Sequence, residues 1–460
     1  MAHERRITDF TAINVKKYGV VGDGVTDDTA CLQEAMRGGD NAIFLPPGRY
    51  LISHSLDVDL GAGGKSAIYG AGAVIIMTGA GPALRLRGCH QGTSNPLTVT
   101  AETDAREINP IVQGIEIQGR HPEADGITIK GTFKATINQT FIRNCRYGIH
   151  AIERNRDLLI DTCHIYNNRI GVYLDHVDFH QINISDSHIS HNHAGGIKVV
   201  GGAIRNIQIC GNDIEYNHKE GGSDIWFIAG ENAIREGAIV GNTIQALPGE
   251  GEANIRFEGY VAKSPNKIGF FSISGNHIAN QSKTNIWIKN SRGIVIEGNT
   301  LQGAERNIVI EDSMAIVCSQ NTLDDNPDYR LNKKVSNVGG IVMQNSRYCS
   351  LQGNLLVGAI GGSLERGGAV EASNCAFLNI NGCTIIGPHY RGIWLEDVTD
   401  SVVANCIVAP GEGVDGMLAA IAETGCSRRN LFSANRLNSG LQGALMLASA
   451  ESTAHGNLVS

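Results

Sequence analysis

The sequence lacks the features that would place it among membrane or nucleic-acid-binding proteins. No stretch of the 460 residues reaches the roughly 18 consecutive apolar side chains of a membrane-spanning helix. Lysines and arginines are dispersed among the acidic residues, and the formal net charge is −8, so no basic surface for a phosphate backbone is indicated. We therefore expect a soluble protein that has neither a membrane nor a nucleic acid as its partner.

The cysteines lack the patterns of a disulfide framework or a metal cluster. There are eleven, an odd number, and no C-x-x-C spacing occurs among them. We expect all of them to be reduced thiols, and we expect no metal and no cofactor. Arg5 and Arg6 are followed by Ile7, Thr8 and Asp9 instead of the apolar run of a secretory signal, so a cytoplasmic protein is predicted.

Proline is scarce and glycine is abundant, with 11 and 57 residues respectively. Tight turns between short strands need positive φ angles, which glycine adopts without strain. This imbalance predicts many short strands joined by tight turns.

A short motif, usually written G-N-x-I or G-N-x-L, recurs at spacings of 22 to 34 residues. One motif per coil predicts a solenoid in which each asparagine lies over the next at a strand spacing of about 4.8 Å. Stacked amides would then bond to the turn backbone and to one another. The equivalent positions are Asn212, Asn242, Asn276, Asn299, Asn321, Asn354, Asn405 and Asn435, with Thr140, Cys163, Ser187 and Cys383 in the remaining turns.

A second short strand follows each asparagine motif by ten or more residues, and its apolar residues alternate. The residue between two inward aliphatics must point outward, because side chains alternate with period two. All three tryptophans of the chain fall at this outward position. Taken coil by coil, this aromatic column consists of His150, Tyr173, Lys198, Trp226, Arg256, Trp287, Val309, Val342, Glu371 and Trp394.

The segment INVKKYGVVGDGVTDDTACLQEAM, followed by AIFLPPGRYLIS, resembles the start of the pectate-lyase-like superfamily. With the repeats, it predicts an all-β, single-stranded right-handed parallel β-helix of about twelve coils. We expect one domain over residues 1–460, with residues 13–53 as a capping segment and the coils at about 54–450. Thr26 to Asp28 can cap a helix predicted over residues 26–38.

This superfamily includes pectin and pectate lyases, polygalacturonases, alginate epimerases, inulin-acting transferases and phage tailspikes, so the fold leaves the reaction open. The sequence has neither the N-x-D, DD and G-H-G cluster of polygalacturonases nor the D-P-H stretch of alginate epimerases. Tailspikes and inulin-acting members often form trimers, and the resemblance therefore implies a homotrimer.

Outward indoles at strand spacing suit stacking against sugar rings, and cations between them suit carboxylates. The alternative is an aromatic and cation stack that only stabilises the wall. Long loops with the sequences LPGEGEA, GYVAKSPNKIG and DDNPDYRLNKKVSN are expected to enclose the column. The predicted substrate-binding residues are Tyr173, Trp226, Arg256, Trp287 and Trp394.

Asp175 lies two positions beyond the aromatic column, with Ile152 and Val200 as its predicted neighbours. Apolar surroundings would raise the pKa of this carboxyl and suit it to a general acid. Proton abstraction fits these residues better than hydrolysis does, because Asp224 and Glu258 make a poor carboxylate pair. The candidate catalytic residues are Asp175, Lys198, His193, Asp224 and Glu258.

The predicted function is that of a carbohydrate-active enzyme acting on an oligo- or polysaccharide, with a uronate-containing glycan well suited to the cations of the column. Lyase, epimerase, hydrolase and glycan transferase activities stay open. The alternative is a non-catalytic or tailspike-like module that only binds a glycan.

Overall fold

The computed structural model describes residues 12–460 except 39–41, 65, 90–93, 248–250, 263–264, 281–282, 325, 327, 329–338 and 412–415. The chain divides into two compact units, Met1–His188 and Ile189–Ser460. Within each unit, short parallel strands stack coil upon coil on three faces, which is the predicted β-helix. Among the residues described, no helix has the length and apolar character needed to cross a membrane.

The helices of the first unit are short. They are α1 (Thr29–Gly38), α2 (Leu60–Gly63) and α3 (Ala101–Arg106), with 3-10 turns at Val15–Tyr18 and Pro96–Thr98. The strands of this unit are β1 (Ile13–Asn14), β2 (Asp23–Asp27), β3 (Ala42–Leu45), β4 (Gly48–Ile52), β5 (Leu56–Asp59), β6 (Ala67–Met77), β7 (Gly81–Arg87), β8 (Ile111–Gly119), β9 (Ala124–Lys130), β10 (Thr136–Asn138), β11 (Phe141–Arg143), β12 (Tyr147–Asp161), β13 (His164–Tyr166) and β14 (Ile170–Ser185).

From position 188 onward the described elements are strands. They are β15 (His188–Ser190), β16 (Ile197–Val200), β17 (Ala203–Cys210), β18 (Asp213–Glu215), β19 (Ile225–Ile228), β20 (Ile234–Val240), β21 (Thr243–Gln245), β22 (Ala253–Glu258), β23 (Ile268–Ser274), β24 (His277–Ala279), β25 (Thr284–Lys289), β26 (Arg292–Glu297), β27 (Thr300–Gln302), β28 (Arg306–Glu311), β29 (Met314–Ser319), β30 (Thr322–Asp324), β31 (Ile341–Gln344), β32 (Ser350–Gln352), β33 (Leu355–Val357), β34 (Val370–Ser373), β35 (Asn379–Asn381), β36 (Thr384–Ile386), β37 (Arg391–Glu396), β38 (Val402–Ala404), β39 (Ile407–Ala409), β40 (Ala419–Thr424), β41 (Leu431–Ser433), β42 (Arg436–Leu437), β43 (Gly443–Met446), β44 (Thr453–His455) and β45 (Leu458–Val459).

The predicted N-terminal helix is present but begins later than expected, at Thr29 instead of residue 26. The backbone before it is held in β2, where the Asp23 carboxylate accepts hydrogen bonds from the Thr26 amide and hydroxyl. The buried Asp28 carboxylate accepts hydrogen bonds from the amides of Val21 at 2.7 Å and Gly22 at 2.8 Å. These contacts give the GDG and DD residues a structural role at the capped end.

The asparagine ladder forms as predicted in the second unit. The backbone amide and the Nδ2 of Asn276 both donate to Oδ1 of Asn299, at 3.0 and 2.9 Å, and Nδ2 also donates to the Ile239 carbonyl at 2.9 Å. Every donor in this buried turn is therefore satisfied, which explains a recurring polar residue beside aliphatic ones. The same pattern joins Asn212, Asn242, Asn276, Asn299, Asn321 and Asn354 in turn.

The prediction for Asn405 is wrong by one residue. Cys406 occupies the ladder position, and its amide donates to Oδ1 of Asn435 at 2.9 Å. Asn405 instead has a left-handed backbone with φ 55, and its Nδ2 donates to Oδ1 of Asn381. The strand register fixes this assignment, because Ile407 pairs with Thr384. The ladder also continues one step further than predicted, to Asn457.

A second buried ladder was not predicted. Nδ2 of Asn254 donates to Asn285 at 2.9 Å, and Nδ2 of Asn285 donates to Asn307 at 2.6 Å. These residues open the strand segments NIRFE, NIWIK and NIVIE, so the repetition of N-I at their start was the available indication. The ladder fixes the start of the strands that carry the aromatic column.

Candidate functional site

The aromatic column is confirmed by the strand register in each unit. In the first unit His150 pairs with Tyr173. In the second unit the predicted order is reproduced without a shift from β16 to β37, as Lys198, Trp226, Arg256, Trp287, Val309, Val342, Glu371 and Trp394.

Trp226 lies between two cations and has no open ring face. Lys198 Nζ lies 4.0 Å and Arg256 Cζ lies 4.6 Å from the ring centroid. These two residues belong to the strands on opposite sides of Trp226, so they cover opposite faces. The indole Nε1 donates to Glu258 Oε1 at 2.8 Å. The expectation that Trp226 offers a face to a sugar ring is therefore wrong, and the alternative of a stabilising stack applies here.

Trp394 is also unsuited to stacking against a ligand, because its side chain is only 2% exposed. It packs with Ala419, Ala422 and Met446, and Arg366 lies 5.4 Å from its ring. Alternation places Trp394 on the outer side of its strand. The alanines of the next coil leave room for the indole, which is therefore covered by neighbouring side chains. The prediction of a binding role for Trp394 is wrong.

Trp287 differs from the other two tryptophans because the next side chains of the column are much smaller. Arg256 lies 4.7 Å from its ring on one side, and Lys289 Nζ, which pairs with Glu311, lies 5.6 Å from the ring centroid. The neighbour of Trp287 in the next coil is the much smaller Val309, followed by Val342. A depression of about 220 Å³ opens at this step, and we name it the Trp287 hollow. It is lined by Trp287, Val309, Val342, Glu311, Gln344, Glu252, Lys283, Thr284, Glu305 and Arg306.

The rim of the Trp287 hollow carries charges of both signs. Lys283 Nζ lies 2.6 Å from Glu252 Oε1, and Lys289 Nζ lies 3.3 Å from Glu311 Oε2. The Nε1 of Trp287 has no hydrogen-bond partner among the described residues. The hollow thus combines an apolar floor, one aromatic ring and several polar groups, which is the usual composition of a small-molecule site.

In the first unit, Asp175 lies at the centre of a half-buried acid–base cluster. Its Oδ1 is 2.7 Å from Nδ1 of His176, and its Oδ2 is 3.3 Å from Nε2 of His150. The rings of His150 and Tyr173 stack at 5.2 Å with an interplanar angle of 4°, and Tyr147 packs against both.

The predicted rise in the pKa of Asp175 is wrong. Burial on its own would raise this pKa, but hydrogen bonds from His176, His150 and Tyr173 outweigh burial and lower it. The paired Ile152 is apolar as predicted, yet the decisive groups come from adjacent positions in the chain and in the column. Burial, and then the charge of Asp175, raise the pKa of Tyr173.

Three family models match successive parts of the chain. One is described as Rhamnogalacturonase A/epimerase, pectate lyase-like (residues 12–79), one as Right handed beta helix region (109–244), and one as Periplasmic copper-binding protein, NosD (253–444). The chain is a right-handed β-helix, and its N-terminal part matches a pectate-lyase-like model. Among curated protein sequences, none matches it.

Solved structures support the right-handed β-helix fold. The Dettilon tailspike protein gp208 matches with a TM-score of 0.53 and 17% identity over 96% of this chain and 70% of that one. The pre-mature bacteriophage phi29 gene product 12 matches with a TM-score of 0.53 and 15% identity over 96% of this chain and 57% of that one. The A-module of the Azotobacter vinelandii mannuronan C-5 epimerase AlgE6 has 14% identity, 97% and 99% coverage, and a TM-score of 0.43. At these identities the first two matches establish the fold alone.

Two predicted catalytic residues of this β-helix occupy structural or peripheral positions. The side chains of Asp224 and His218 are fully buried, and His218 Nε2 lies 2.9 Å from Asp224 Oδ2. Burial raises the pKa of Asp224, and Asn217 Nδ2 donates to it at 2.7 Å. Asp224 cannot reach a polymer substrate, so its catalytic assignment is wrong. His193 is partly exposed, with Nδ1 3.9 Å from Glu220 Oε1.

The other predicted residues of the second unit do lie together. Lys198, Arg256 and Glu258 surround Trp226, and Arg256 Nε is 2.5 Å from Glu258 Oε1. Glu258 is therefore engaged by both a guanidinium and an indole.

Sequence reasoning missed the rim of the Trp287 hollow. Glu252, Lys283, Glu305 and Arg306 stand just before or at the start of their strands, outside the alternation that defines the column. The long loops were the available indication of a site on this side. Positions 248–250, 263–264, 325, 327 and 329–337 of those loops lie outside the described residues.

Proposed function

We propose that the chain binds an oligo- or polysaccharide and that the Trp287 hollow holds one of its sugar rings. The proposal rests on the decrease in side-chain size along the aromatic column from Trp287 to Val309, which opens the hollow. A pyranose presents a face of C–H groups that packs on an indole, and its hydroxyls need donors and acceptors at the edge.

The groups around the hollow suit that chemistry. Trp287 supplies the ring, Val309 and Val342 supply an apolar floor, and Glu311 and Gln344 supply acceptors beside it. Lys283 and Arg306 can donate to sugar hydroxyls or to the carboxylate of a uronate. The description of the N-terminal family match, a rhamnogalacturonase and epimerase group, is consistent with a polysaccharide ligand.

Binding is tested with variants of two tryptophans of the same column that differ in access to the ring. Calorimetry against a panel of uronans, fructans and capsular glycans should show that Trp287→Ala weakens binding at least tenfold, or about 1.4 kcal/mol. Trp226→Ala is the matched control, because both faces of Trp226 are covered by cations, and it should bind within about twofold of the wild type. Equal affinity in Trp287→Ala and wild type, or no binding to any glycan of the panel, would contradict the proposal.

Action on the glycan is a second candidate function, favoured by the cluster of His150, Tyr173 and Asp175. When Nε2 of His150 donates to Asp175, Nδ1 is left as a proton acceptor, and the carboxylate stabilises the imidazolium that forms. Proton abstraction beside a sugar carboxylate is the chemistry of lyases and epimerases. The lowered pKa of Asp175 keeps it ionised, which disfavours its use as the acid of a hydrolase.

Activity is tested on polyuronates in D₂O. Unsaturated products would indicate a lyase, and deuterium incorporation without unsaturation would indicate an epimerase. Asp175→Asn should lower kcat by about 10². His176→Gln serves as the control, because this histidine contacts the same carboxylate but its side chain is 71% exposed. Loss of the same size in both variants would point to a general disturbance of Asp175, and full activity in Asp175→Asn would remove the cluster from the mechanism.

A further inference from the structure

A different face of the second unit carries three exposed aromatic side chains on a backbone that aromatic residues rarely adopt. Phe270, Tyr348 and Phe377 have φ angles of 56, 57 and 54. Their side chains are 71%, 54% and 51% exposed. The same left-handed turn recurs at Ala315, Asp400 and Arg429 in neighbouring coils, so the fold sets the backbone here. Glycine or asparagine would adopt it at a lower cost than an aromatic residue does. We name these residues the outer aromatic ridge.

The register places the ridge in one column along successive coils. Phe270 lies over Gly293, since the residues flanking them pair, and Gly293 lies over Ala315 in the same way. The bridges of Arg347 to Met314 and to Ala376 then place Tyr348 after Ala315 and Phe377 after Tyr348. The column therefore has two small residues between its first aromatic ring and the stacked pair.

The two small residues leave a gap between rings. A Cβ added to Gly293 would lie 3.9 Å from Cδ1 of Phe270, so the Phe270 ring extends over Gly293. From Gly293 to Tyr348 is two strand spacings, or about 9.6 Å. A ring held between two others needs about 7 to 8 Å, because carbon atoms in contact are 3.5 to 4.0 Å apart. The two levels of small residues thus leave more than the 7 to 8 Å that one ring needs, so a saturated ring has room over Ala315.

At the C-terminal end of the outer aromatic ridge, the rings are covered by each other and by a salt bridge. The rings of Tyr348 and Phe377 stack on each other at 5.4 Å with an interplanar angle of 21°. Beyond Phe377 the column continues with Asp400 and Arg429, which form a paired salt bridge at 2.7 Å. The side of the stacked pair that remains for a ligand is the side of Tyr348 toward Ala315, where Arg347 Cζ lies 5.9 Å from the ring centroid.

A polar groove of about 370 Å³ runs beside the ridge. Asn374 Nδ2 donates to Asn345, and Asn345 Nδ2 donates to Asp312, which forms a row of amide and carboxylate groups along the axis. Arg347 and Asp397 complete the charged groups of its lining. Two carboxylates against one guanidinium leave a surplus of negative charge, which favours a neutral glycan over a uronate.

From this geometry we infer that the second unit has a second glycan site, in which a neutral pyranose ring lies over Ala315 between Phe270 and Tyr348. The amides of the groove bind hydroxyls of the same chain. This site is separate from the Trp287 hollow and does not depend on it, since the two share no lining residue.

The test fills the gap without removing an aromatic ring. Ala315→Tyr would place a third ring against Tyr348 and should weaken binding of neutral oligosaccharides at least tenfold, as measured by saturation-transfer NMR and calorimetry on the full chain. Ala315→Gly keeps the gap and relieves the backbone at φ 53, so it should bind like the wild type. Trp287→Ala should also retain this binding, which separates the inference from the proposed function.

A second variant tests whether Tyr348, with its left-handed backbone, is there to bind the glycan. Tyr348→Asn removes one wall of the site and places a residue that tolerates left-handed backbone, so it should bind at least tenfold more weakly while melting no lower than the wild type. Unchanged binding by Ala315→Tyr would overturn the inference, as would absence of neutral-glycan binding by the wild type. Light scattering in which Ala315→Tyr converts an oligomer to a monomer would also overturn it, because the ridge would then be an interface between copies of the chain.

Discussion

Trp226 and Trp287 occupy the same column with the same orientation, yet their environments differ because of one neighbouring residue each. Trp226 has Lys198 and Arg256 on its two sides, whereas Trp287 has Arg256 on one side and Val309 on the other. The two cations over Trp226 lie 4.0 and 4.6 Å from its ring centroid. On Trp287 the second cation, Lys289, lies 5.6 Å away, and the hollow opens above the small Val309. The role of each tryptophan is therefore set by the side chain one coil away.

Trp226→Ala should lower the free energy of unfolding by about 2 kcal/mol, from two cation–π contacts at about 0.5 to 1 each and one hydrogen bond at about 1. Urea unfolding monitored by circular dichroism measures the change. Trp287→Ala, which loses the contact with Arg256 and the longer contact with Lys289 but no hydrogen bond, should destabilise less. The opposite order of the two variants would contradict the assignment of Trp226 to a stabilising stack.

The lowered pKa of Asp175 makes a prediction about stability and pH. A carboxyl whose pKa is lower in the folded state stabilises the fold above its unfolded pKa, near 3.8, and this contribution is lost as the pH falls through the folded value. Wild type should therefore be more stable than Asp175→Asn at pH 5, and the difference should shrink toward pH 2.5. A difference that grows over this range would show that the pKa is raised.

At the scale of the strand and turn, the coils are held in register by buried amides. Each ladder asparagine accepts from the coil before it and donates to backbone of an earlier strand, so a shift by one residue would leave several buried donors unpaired. Polar ladders thus specify register where stacked isoleucines alone would permit slippage.

Two asparagine variants distinguish a ladder position from a neighbouring exposed one. Asn276→Ala should destabilise by about 1 to 3 kcal/mol, because it leaves the buried amide and Nδ2 of Asn242 without their acceptor. Asn405→Ala removes an exposed side chain that donates to Asn381, and it should change stability by less than about 0.5 kcal/mol. Thermal or urea unfolding measures both, and equal losses would contradict the corrected register.

On the scale of the whole molecule, the cysteines differ in whether they lie inside the coils or at the surface. All eleven cysteines are free, seven of them are buried, and Cys89 and Cys426 are exposed. Several of the buried thiols fill ladder turns in place of asparagine, as Cys163 and Cys406 do. Their positions are explained by packing in the turns without cross-links.

Thiol labelling checks this distribution. Under denaturing, non-reducing conditions all eleven cysteines should react, and a substantial shortfall would indicate disulfides. In the native protein Cys426 should react first. Cys89 should lag behind it, because its hydrogen bond to Glu107 and then burial raise the pKa of the Cys89 thiol and so lower its thiolate fraction.

The sequence by itself determined the parallel coils, the ladder from Asn212 to Asn354 and the membership of the aromatic column, because strand alternation and a fixed repeat are local properties of the chain. Only the tertiary structure decided which column members face a ligand. Burial of Trp394, the cations over Trp226 and the hollow beside Trp287 depend on side chains that are 22 to 33 residues apart in sequence. The lowered pKa of Asp175 likewise results from histidines that the register and a turn bring to its carboxylate. Such contacts are set by packing between coils, which a pattern along one strand does not contain.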